Sequence, residues 1–265
     1  MRSPSWKGNL GLAWDLARRD LASKYRRSSM GLVWLVLTPL GLLGIYAFVF
    51  GYIFGISWPA THDGESPTGF ILPFFVGLAV YLVLSDVVNS STTLYASKRT
   101  YVVKSPFPLW VLWAANLMRA SVHAAINIGL VLVLALAQQR LSMTGAAWLL
   151  LGLWLCGAFI ASLSMLLSAL GPFIGDISDA MRLLLRVLFY ATPITYPLAM
   201  VPEPYRGWMW LNPLTCMVEI LRQAVVFGQS TSSGVLAAFA GATLLLASVS
   251  LWTFARVKGV VSDVV

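Results

Sequence analysis

Three polar side chains, Arg119, His123 and Asn127, lie four residues apart in an otherwise apolar stretch, so a helix would place them on one face. An arginine inside a membrane costs roughly 2.5 to 3.5 kcal/mol on insertion scales, so this face is expected to meet protein or water. Two interpretations are open. In one, Arg119 reaches cytoplasmic headgroups while His123 and Asn127 hydrogen-bond between helices. In the other, the three form part of a polar pathway.

Other residues that could do chemistry are isolated from one another. Asp20, Asp86 and His123 would suit only an enzyme site that needs no local motif, and Asp86 lies where water or headgroups can solvate it. The sequence has no GxxxxGK[ST] phosphate loop, no HExxH and no GxSxG. Cys156 and Cys216 lack CxxC spacing and are expected to be packing residues. The sequence therefore predicts no catalytic residue and no metal site.

The composition indicates that these residues lie in an integral membrane protein. The chain is 58% hydrophobic and 11% charged, and its mean hydropathy is +0.79, which is typical of an integral membrane protein. The formal charge of +8 does not indicate nucleic-acid binding, because the cations lie beside apolar segments and form no basic face.

Six apolar segments are predicted to span the membrane as helices, so the fold class is an all-α integral membrane protein with a single domain over 1–265. The predicted spans are 31–54, 70–88, 109–137, 145–170, 183–198 and 233–254. The first is too long for a signal peptide and is a retained anchor. Basic residues flank these spans mainly on one side, which predicts both termini in the cytoplasm. The cations assigned to the inside are Arg2, Lys7, Arg18, Arg19, Lys24, Arg26, Arg27, Lys98, Arg99, Lys104, Arg119, Arg182, Arg186, Arg256 and Lys258, and those assigned to the outside are Arg140, Arg206 and Arg222.

Two further segments are neither spans nor ordinary loops. Residues 9–27 carry apolar residues at helical spacing, which predicts an amphipathic interfacial helix; the alternative is a solvated tail. Residues 204–227 are predicted to form two short helices, near 204–211 and 213–227, that dip into the outer leaflet as re-entrant structure. Asn212 followed by Pro213 is a helix start and Gly228 a helix stop.

The run RDLASKYRRSSMGLVWLVLTP resembles the start of the first span in bacterial ABC-2-type permeases that export surface polysaccharides, such as O-antigen, teichoic acid and capsule. KRTYVVKSPFPLWVL resembles the cytoplasmic turn after their second span. GDISDAMRLLLRVLFYATPITYP followed by WLNPLTCMVEILRQAVVFG is the most specific part. The resemblance covers nearly the whole chain. Gly175 is a departure, since the family usually has arginine before this aspartate, so no role is assigned to a basic residue there.

The resemblance implies half of a transporter in the bacterial inner (cytoplasmic) membrane. Two copies of the chain would form a homodimer, and two copies of a separate nucleotide-binding subunit would bind ATP and Mg²⁺, so no cofactor is expected in this chain. Residues 9–27 and a coupling helix at 94–105 would touch the ATPase, although the cations there are also explained by topology alone. The candidate contacts are Asp15, Arg18, Arg19, Lys98, Arg99, Tyr101 and Lys104.

By the same resemblance, the helices at 204–227 would close the channel from outside. Glu219 and Arg222 are the gate candidates, and they would pair across the dimer or with each other.

Aromatic side chains suggest where a glycan would pass, because sugar C–H faces stack on rings without a fixed hydrogen-bond register. The candidates for this path are Trp34, Tyr46, Phe50, Tyr190 and Tyr196. The alternative is that they belong to interfacial belts. The belt interpretation is preferred for Trp58, Trp208, Trp210 and Trp252.

The function expected from these observations is the permease half of an ATP-driven exporter of a lipid-linked polysaccharide. The expected partners are a second copy, the ATPase, the glycan and membrane lipids. An ABC-2 permease for a drug or lipid is the first alternative, for which a compact apolar pocket would argue. A membrane enzyme acting on lipid-linked precursors is the second.

Overall fold

The computed structural model describes residues 6–25, 28–56, 58, 67–104 and 108–261, without the side chains of residues 6, 7, 24, 25, 67, 68, 103 and 104. Arg26, Arg27, most of the outer loop before the second span, residue 105 and the side chain of Lys104 lie outside this description. Every regular element within it is a helix, which confirms the all-helical prediction.

The described ranges contain eleven α-helices. They are α1 (Trp6–Tyr25), α2 (Trp34–Tyr46), α3 (Pro67–Thr92), α4 (Leu94–Ser97), α5 (Arg99–Lys104), α6 (Leu109–Ala137), α7 (Met143–Leu170), α8 (Ile177–Ala191), α9 (Glu203–Met209), α10 (Pro213–Val226) and α11 (Ser233–Val257). A 3-10 turn at Gly31–Val33 precedes α2, and a π-helix at Ala47–Ile53 continues it. Another 3-10 turn lies at Leu198–Met200.

Five helical segments in the described part of the chain are long and apolar enough to cross a membrane. They are Gly31–Ile53, Gly69–Thr92, Leu109–Ala137, Met143–Leu170 and Ser233–Val257. These correspond to the predicted first, second, third, fourth and sixth spans. The protein is therefore built as a multi-pass membrane protein.

The segment predicted as the fifth span, 183–198, has different bounds. Its helix, α8, begins at Ile177 and ends at Ala191, and its 15 residues extend only about 22 Å against a hydrocarbon core of about 30 Å. The helix ends because Thr192 precedes Pro193, and a residue before proline is pushed towards extended backbone; Thr192 has φ −100° and ψ 141°.

Helix α3 lies at the centre of the molecule. It packs against α6, α7, α8 and α10, and its Phe70, Phe74 and Phe75 are fully buried. A helix surrounded by others needs apolar residues on every side, which explains why α3 shows no single apolar stripe.

The two ends of the described chain meet in a second, smaller apolar cluster, here called the α1 cluster. Its members are Ala13, Leu16 and Ala17 of α1, Leu94 and Tyr95 of α4, Val102 of α5, Val111, Leu112 and Ala115 of α6, and Val261. Because Val261 follows the last long helix and α1 precedes the first, both ends of the described chain lie at the same end of the helix bundle.

Two glycines let α7 lie close against α10. A Cβ at Gly145 would lie 2.6 Å from the carbonyl oxygen of Ala224, and a Cβ at Gly152 would lie 2.8 Å from Leu221 Cδ2. Small residues at such contacts allow helices to approach closely in a membrane. Gly228, with φ +66°, then ends the turn after α10 in a conformation that disfavours other residues.

The Gly145→Ala variant is expected to unfold at a lower temperature than the wild type. Its free energy of unfolding should fall by about 1 to 3 kcal/mol, because the new methyl group meets backbone that cannot rotate away. Gly157→Ala is the matched control on the same helix, because nothing lies within 4 Å of a Cβ there. Thermal unfolding of the detergent-solubilised chain measures both. Equal unfolding temperatures for the two variants would contradict the close approach of α7 and α10.

Candidate functional site

Aromatic rings from three helices meet in one cluster, here called the aromatic cluster. The Tyr46 ring lies 5.4 Å from Phe74 and 5.6 Å from Phe189, measured between centroids. Tyr81 lies 4.8 Å from Phe189, edge to face, and Phe189 lies 5.2 Å from Tyr190. The cluster joins α2, α3 and α8 by tilted and edge-to-face contacts, and edge-to-face is an arrangement that rings prefer.

Four of the five predicted path residues belong to this cluster or adjoin it. Phe50 stacks on Tyr46 at 5.8 Å, and the Tyr196 hydroxyl donates a hydrogen bond to the Tyr190 carbonyl oxygen at 3.1 Å. Tyr190 is 67% exposed, so the cluster reaches the surface there. Trp34 does not join it: this residue is 46% exposed and lies about 18 Å along the helix from Tyr46.

The sequence interpretation missed three members of the cluster, Phe74, Tyr81 and Phe189. Phe74 and Tyr81 lie in a segment that is apolar throughout, where nothing singles out one ring. Phe189 directly precedes Tyr190, and the sequence alone does not show which of these two adjacent rings faces the other helices.

A second candidate surface lies around the α1 cluster. Asp15, Arg18 and Arg19 are all exposed on α1, whereas Ala13, Leu16 and Ala17 are its buried residues. Trp14 is also exposed, which leaves part of the predicted apolar stripe outside the protein core. This division into a packed face and an exposed, charged face is what an interfacial helix requires.

The short helices α4 and α5 hold the other predicted contact residues. Lys98 pairs with Asp20 of α1, so this cation ties the turn to α1. Arg99 and Tyr101 are exposed, and Arg99 also lines a cavity of about 360 Å³ with Thr93 and Ser178. Tyr95 is buried beneath them, and this burial raises the pKa of its hydroxyl.

Arg119 does not reach for headgroups. Its side chain is 9% exposed and its Nη1 lies 2.9 Å from Asp86 Oδ2 on α3. Nη2 donates to Asn116 Oδ1 at 3.2 Å, and Asn116 Nδ2 donates to Ser91 Oγ, also at 3.2 Å. The first of the two interpretations, in which Arg119 reaches cytoplasmic headgroups, is therefore wrong, because its counter-charge lies inside the protein.

The rest of the predicted polar stripe is also internal. Asn127 Nδ2 donates to the His123 carbonyl oxygen at 2.9 Å within α6, not to another helix. Ser91 continues the polar contacts to α7 through a 2.7 Å hydrogen bond with Ser164. The hydrogen bonds of Asn116, Ser91 and Ser164 join α6, α3 and α7, and all three side chains are buried.

Arg222 is the most deeply buried charge among the described residues, at 1% exposure. It donates to Glu219 through Nη1, to the Pro73 carbonyl through Nε at 3.0 Å and to the Pro193 carbonyl through Nη2 at 2.9 Å. The gate candidates therefore pair with each other within the chain.

The indole of Trp58 lies under the Arg222 guanidinium, 4.7 Å from Cζ to the ring centroid. Trp58 is 4% exposed, so its assignment to an interfacial belt is wrong. Cation–π contacts of this kind are strongest when both partners are removed from water.

An apolar cavity of about 270 Å³ lies between α3, α6, α7 and α10. Val76, Ala79, Ala120, Gly157 and Leu221 are among its lining residues, and Cys156, which is buried and free as expected of a packing residue, also borders it. In the described part of the chain, no group of three or more His, Cys, Asp or Glu side chains is arranged to hold a metal ion.

Residues 12–226 match the ABC-2 type transporter family. The chain belongs to this family. The match confirms the family that the sequence resembles, and it covers all helices from α1 to α10 except the first turns of α1.

Proteins similar to this ABC-2 transporter chain are export permeases of bacterial polysaccharides. The polysialic acid transport protein KpsM of Escherichia coli is 25% identical over 86% of this chain and 87% of its own length. The O-antigen export system permease protein RfbA of Klebsiella pneumoniae is 26% identical over 84% of each chain. The RfbA protein of Myxococcus xanthus is 25% identical over 78% of this chain and 77% of its own length.

In this ABC-2 transporter, replacing Arg222 by Met is expected to lower the free energy of unfolding by about 3 to 5 kcal/mol, because Glu219 then stays buried without its partner. Arg182→Met is the matched control: Arg182 pairs with Asp179 at the same i,i+3 spacing, but its side chain is 57% exposed, so the expected loss is below about 1 kcal/mol. Unfolding of both variants in detergent measures the difference. Similar losses of stability in the two variants would contradict the burial of the Arg222–Glu219 pair.

Proposed function

We propose that this chain is the permease half of an ATP-driven exporter that moves a lipid-linked polysaccharide across the bacterial inner membrane. The observation that carries the proposal is the match over 84–86% of the chain to relatives named for polysialic acid transport and O-antigen export. The aromatic cluster supports the same substrate class, since rings at a path surface can contact successive sugars without fixing their position.

The proposed assembly is a homodimer with two copies of a separate ATPase subunit, which binds ATP and Mg²⁺. The chain itself contains no GxxxxGK[ST] phosphate loop, so the energy of ATP has to come through contact with another protein.

The proposed topology has six crossings with both termini in the cytoplasm. Packing of α1 and Val261 in the α1 cluster supports an even number of crossings, because both ends of the described chain lie at one end of the bundle. The five long helices alone give an odd number. The sixth crossing is then made by α8 and the non-helical segment around Pro193, with α9 and α10 as re-entrant structure toward the outer side.

The apolar cavity between α3, α6, α7 and α10 favours a second candidate substrate, a small lipophile. Its volume of about 270 Å³ lies just below the 300 to 1,000 Å³ usual for small-molecule sites, and such sites also place a few polar groups for orientation. The lining of this cavity is almost wholly apolar, with Ser121 as a polar exception. A lipid acyl chain suits it better than a transported solute, so the polysaccharide remains the proposed substrate.

The double variant Arg99→Ala, Tyr101→Ala is expected to lower stimulation of the partner ATPase by this chain several-fold. Both residues are exposed on α5, so the unfolding temperature should hardly change. ATP hydrolysis by the reconstituted complex is the measurement. Lys258→Ala, which removes an exposed cation beyond α11, is the control. Unchanged stimulation would mean that the cations of α5 only set the topology.

Tyr190→Ala is expected to reduce glycan export several-fold with little loss of stability, because the ring lies at the surface where the aromatic cluster opens. Trp154→Ala on α7 is the matched control, since Trp154 is 69% exposed and belongs to no described ring pair. Surface glycan quantified on cells that carry each variant as the sole permease tests this. Normal glycan export by the Tyr190→Ala variant would exclude this ring from the path. If the variant exports glycan normally but its cells lose resistance to lipophilic compounds, a small lipophile would be favoured as the substrate.

A further inference from the structure

Helix α8 carries a line of polar residues. Ser178, Arg182, Arg186 and Tyr190 follow one another at intervals of four residues, so they run along one side of the helix at steps of about 6 Å. Arg182, Arg186 and Tyr190 are exposed, whereas Leu185 and Phe189 face the core. Two cations and then an aromatic ring therefore follow in order along the outside of α8.

The two arginines differ in what they already bind. Arg182 pairs with Asp179 at 3.0 Å and donates to the Ser178 carbonyl oxygen at 3.2 Å. Arg186 makes no hydrogen bond or ion pair with any residue that the structure describes, although it is close enough to the Tyr81 hydroxyl to interact electrostatically. Its guanidinium thus has its donors available for another molecule.

No carboxylate that the structure describes forms an ion pair with Arg186. Five of the seven described carboxylates pair with other cations: Asp20 with Lys98, Asp86 with Arg119, Asp179 with Arg182, Glu203 with Arg206, and Glu219 with Arg222. Asp15 and Asp176 are the other two. Leu183, Leu184 and Val187, which are near Arg186 in sequence on α8, are exposed apolar side chains. An exposed guanidinium on an apolar surface of a membrane protein is costly unless an anion or water meets it.

We propose that Arg182 and Arg186 form the binding site for the phosphate or diphosphate group that joins the lipid anchor of the substrate to its glycan. This inference rests on the proposed function and extends it to a specific part of the substrate. Guanidinium groups bind phosphate oxygens through paired N–H donors, which a lysine cannot reproduce. Two of them one helical turn apart can share the oxygens of a single diphosphate.

The surroundings match the three parts of such a substrate. Leu183, Leu184 and Val187 offer an apolar surface for the lipid chain. The arginines face the anionic linkage. Tyr190 follows about 6 Å beyond Arg186 and leads to the aromatic cluster, where the first sugars would lie. A bulk anionic lipid would match the apolar surface and the arginines, but it has no sugars to contact the aromatic cluster. The lipid-linked glycan is therefore the preferred ligand.

The test uses the full-length chain with its ATPase partner in nanodiscs of zwitterionic lipid. A polyprenyl diphosphate is the probe, and the corresponding polyprenol without phosphate is its reference. Arg186→Gln and the double variant Arg182→Gln, Arg186→Gln are expected to weaken diphosphate binding at least tenfold, since charge-assisted hydrogen bonds are lost. Polyprenol binding should not change. Arg186→Lys should restore part of the affinity, and Lys258→Gln, which removes one cation elsewhere, should have no effect.

Three results would overturn the inference. An equal affinity for polyprenyl diphosphate in the wild type and the double variant would show that these arginines do not form the binding site. Equal competition by phosphatidylglycerol would make it a general headgroup site. Dissociation of the dimer by Arg186→Gln, without a change in diphosphate affinity, would show that Arg186 pairs with a second copy.

Failure of this site is distinguishable from failure of the proposed function. If the wild-type complex exports glycan and the double variant does so at the same rate, only the phosphate site is wrong. If the wild-type complex exports no glycan although it binds polyprenyl diphosphate, the proposed function is wrong and the site stands.

Discussion

The buried guanidinium of Arg222 determines how the part of the molecule opposite the α1 cluster is built. In a membrane interior, backbone carbonyls without a helical partner have no water to bind. The Pro193 carbonyl follows the end of α8, and Arg222 supplies the donor that the helix no longer provides. The same guanidinium binds the Pro73 carbonyl on α3 and the Glu219 carboxylate on α10. Gly77 leaves the space for this, since a Cβ there would lie 3.1 Å from Arg222 Nη2.

The position of the aromatic cluster depends on this arrangement. The end of α8 is fixed because the segment that follows it is bound by Arg222 at Pro193 and by Asn212, whose Nδ2 donates to Thr192 Oγ1 at 2.8 Å. Fixing the end of α8 sets the rotation of the helix, and the rotation decides that Phe189 packs against Tyr46 while Tyr190 faces outward. The buried charge of Arg222 thus influences the exposed position of Tyr190 through the packing of α8.

The sequence predicted local features well and distant partners poorly. Apolar length and helix-breaking residues place helix ends within a few residues, as at Leu109–Ala137, and Asn212 caps α10 by accepting a hydrogen bond from the Leu214 N–H. These features depend on neighbours along the chain. The pairs Asp86–Arg119 and Asp20–Lys98 join residues far apart in sequence, and Trp58 lies under Arg222 from a loop. Helix packing determines which charged residues form pairs, and a single sequence does not show how the helices pack.

Arginines that have a partner inside the protein differ from arginines that are exposed and available for a ligand. A guanidinium inside a membrane protein needs an internal partner. Arg119 pairs with Asp86 on α3, and Arg222 pairs with Glu219, three residues earlier on α10. A guanidinium left at the surface of an apolar helix has no such internal partner, so an anion or water from outside the chain has to solvate it. Hydropathy alone gives Arg119 and Arg186 the same description, as single cations in apolar segments. Their different surroundings in the fold place Arg119 inside the helix packing, paired with Asp86, and Arg186 on the exposed side of α8, where an anion from outside the chain can reach it.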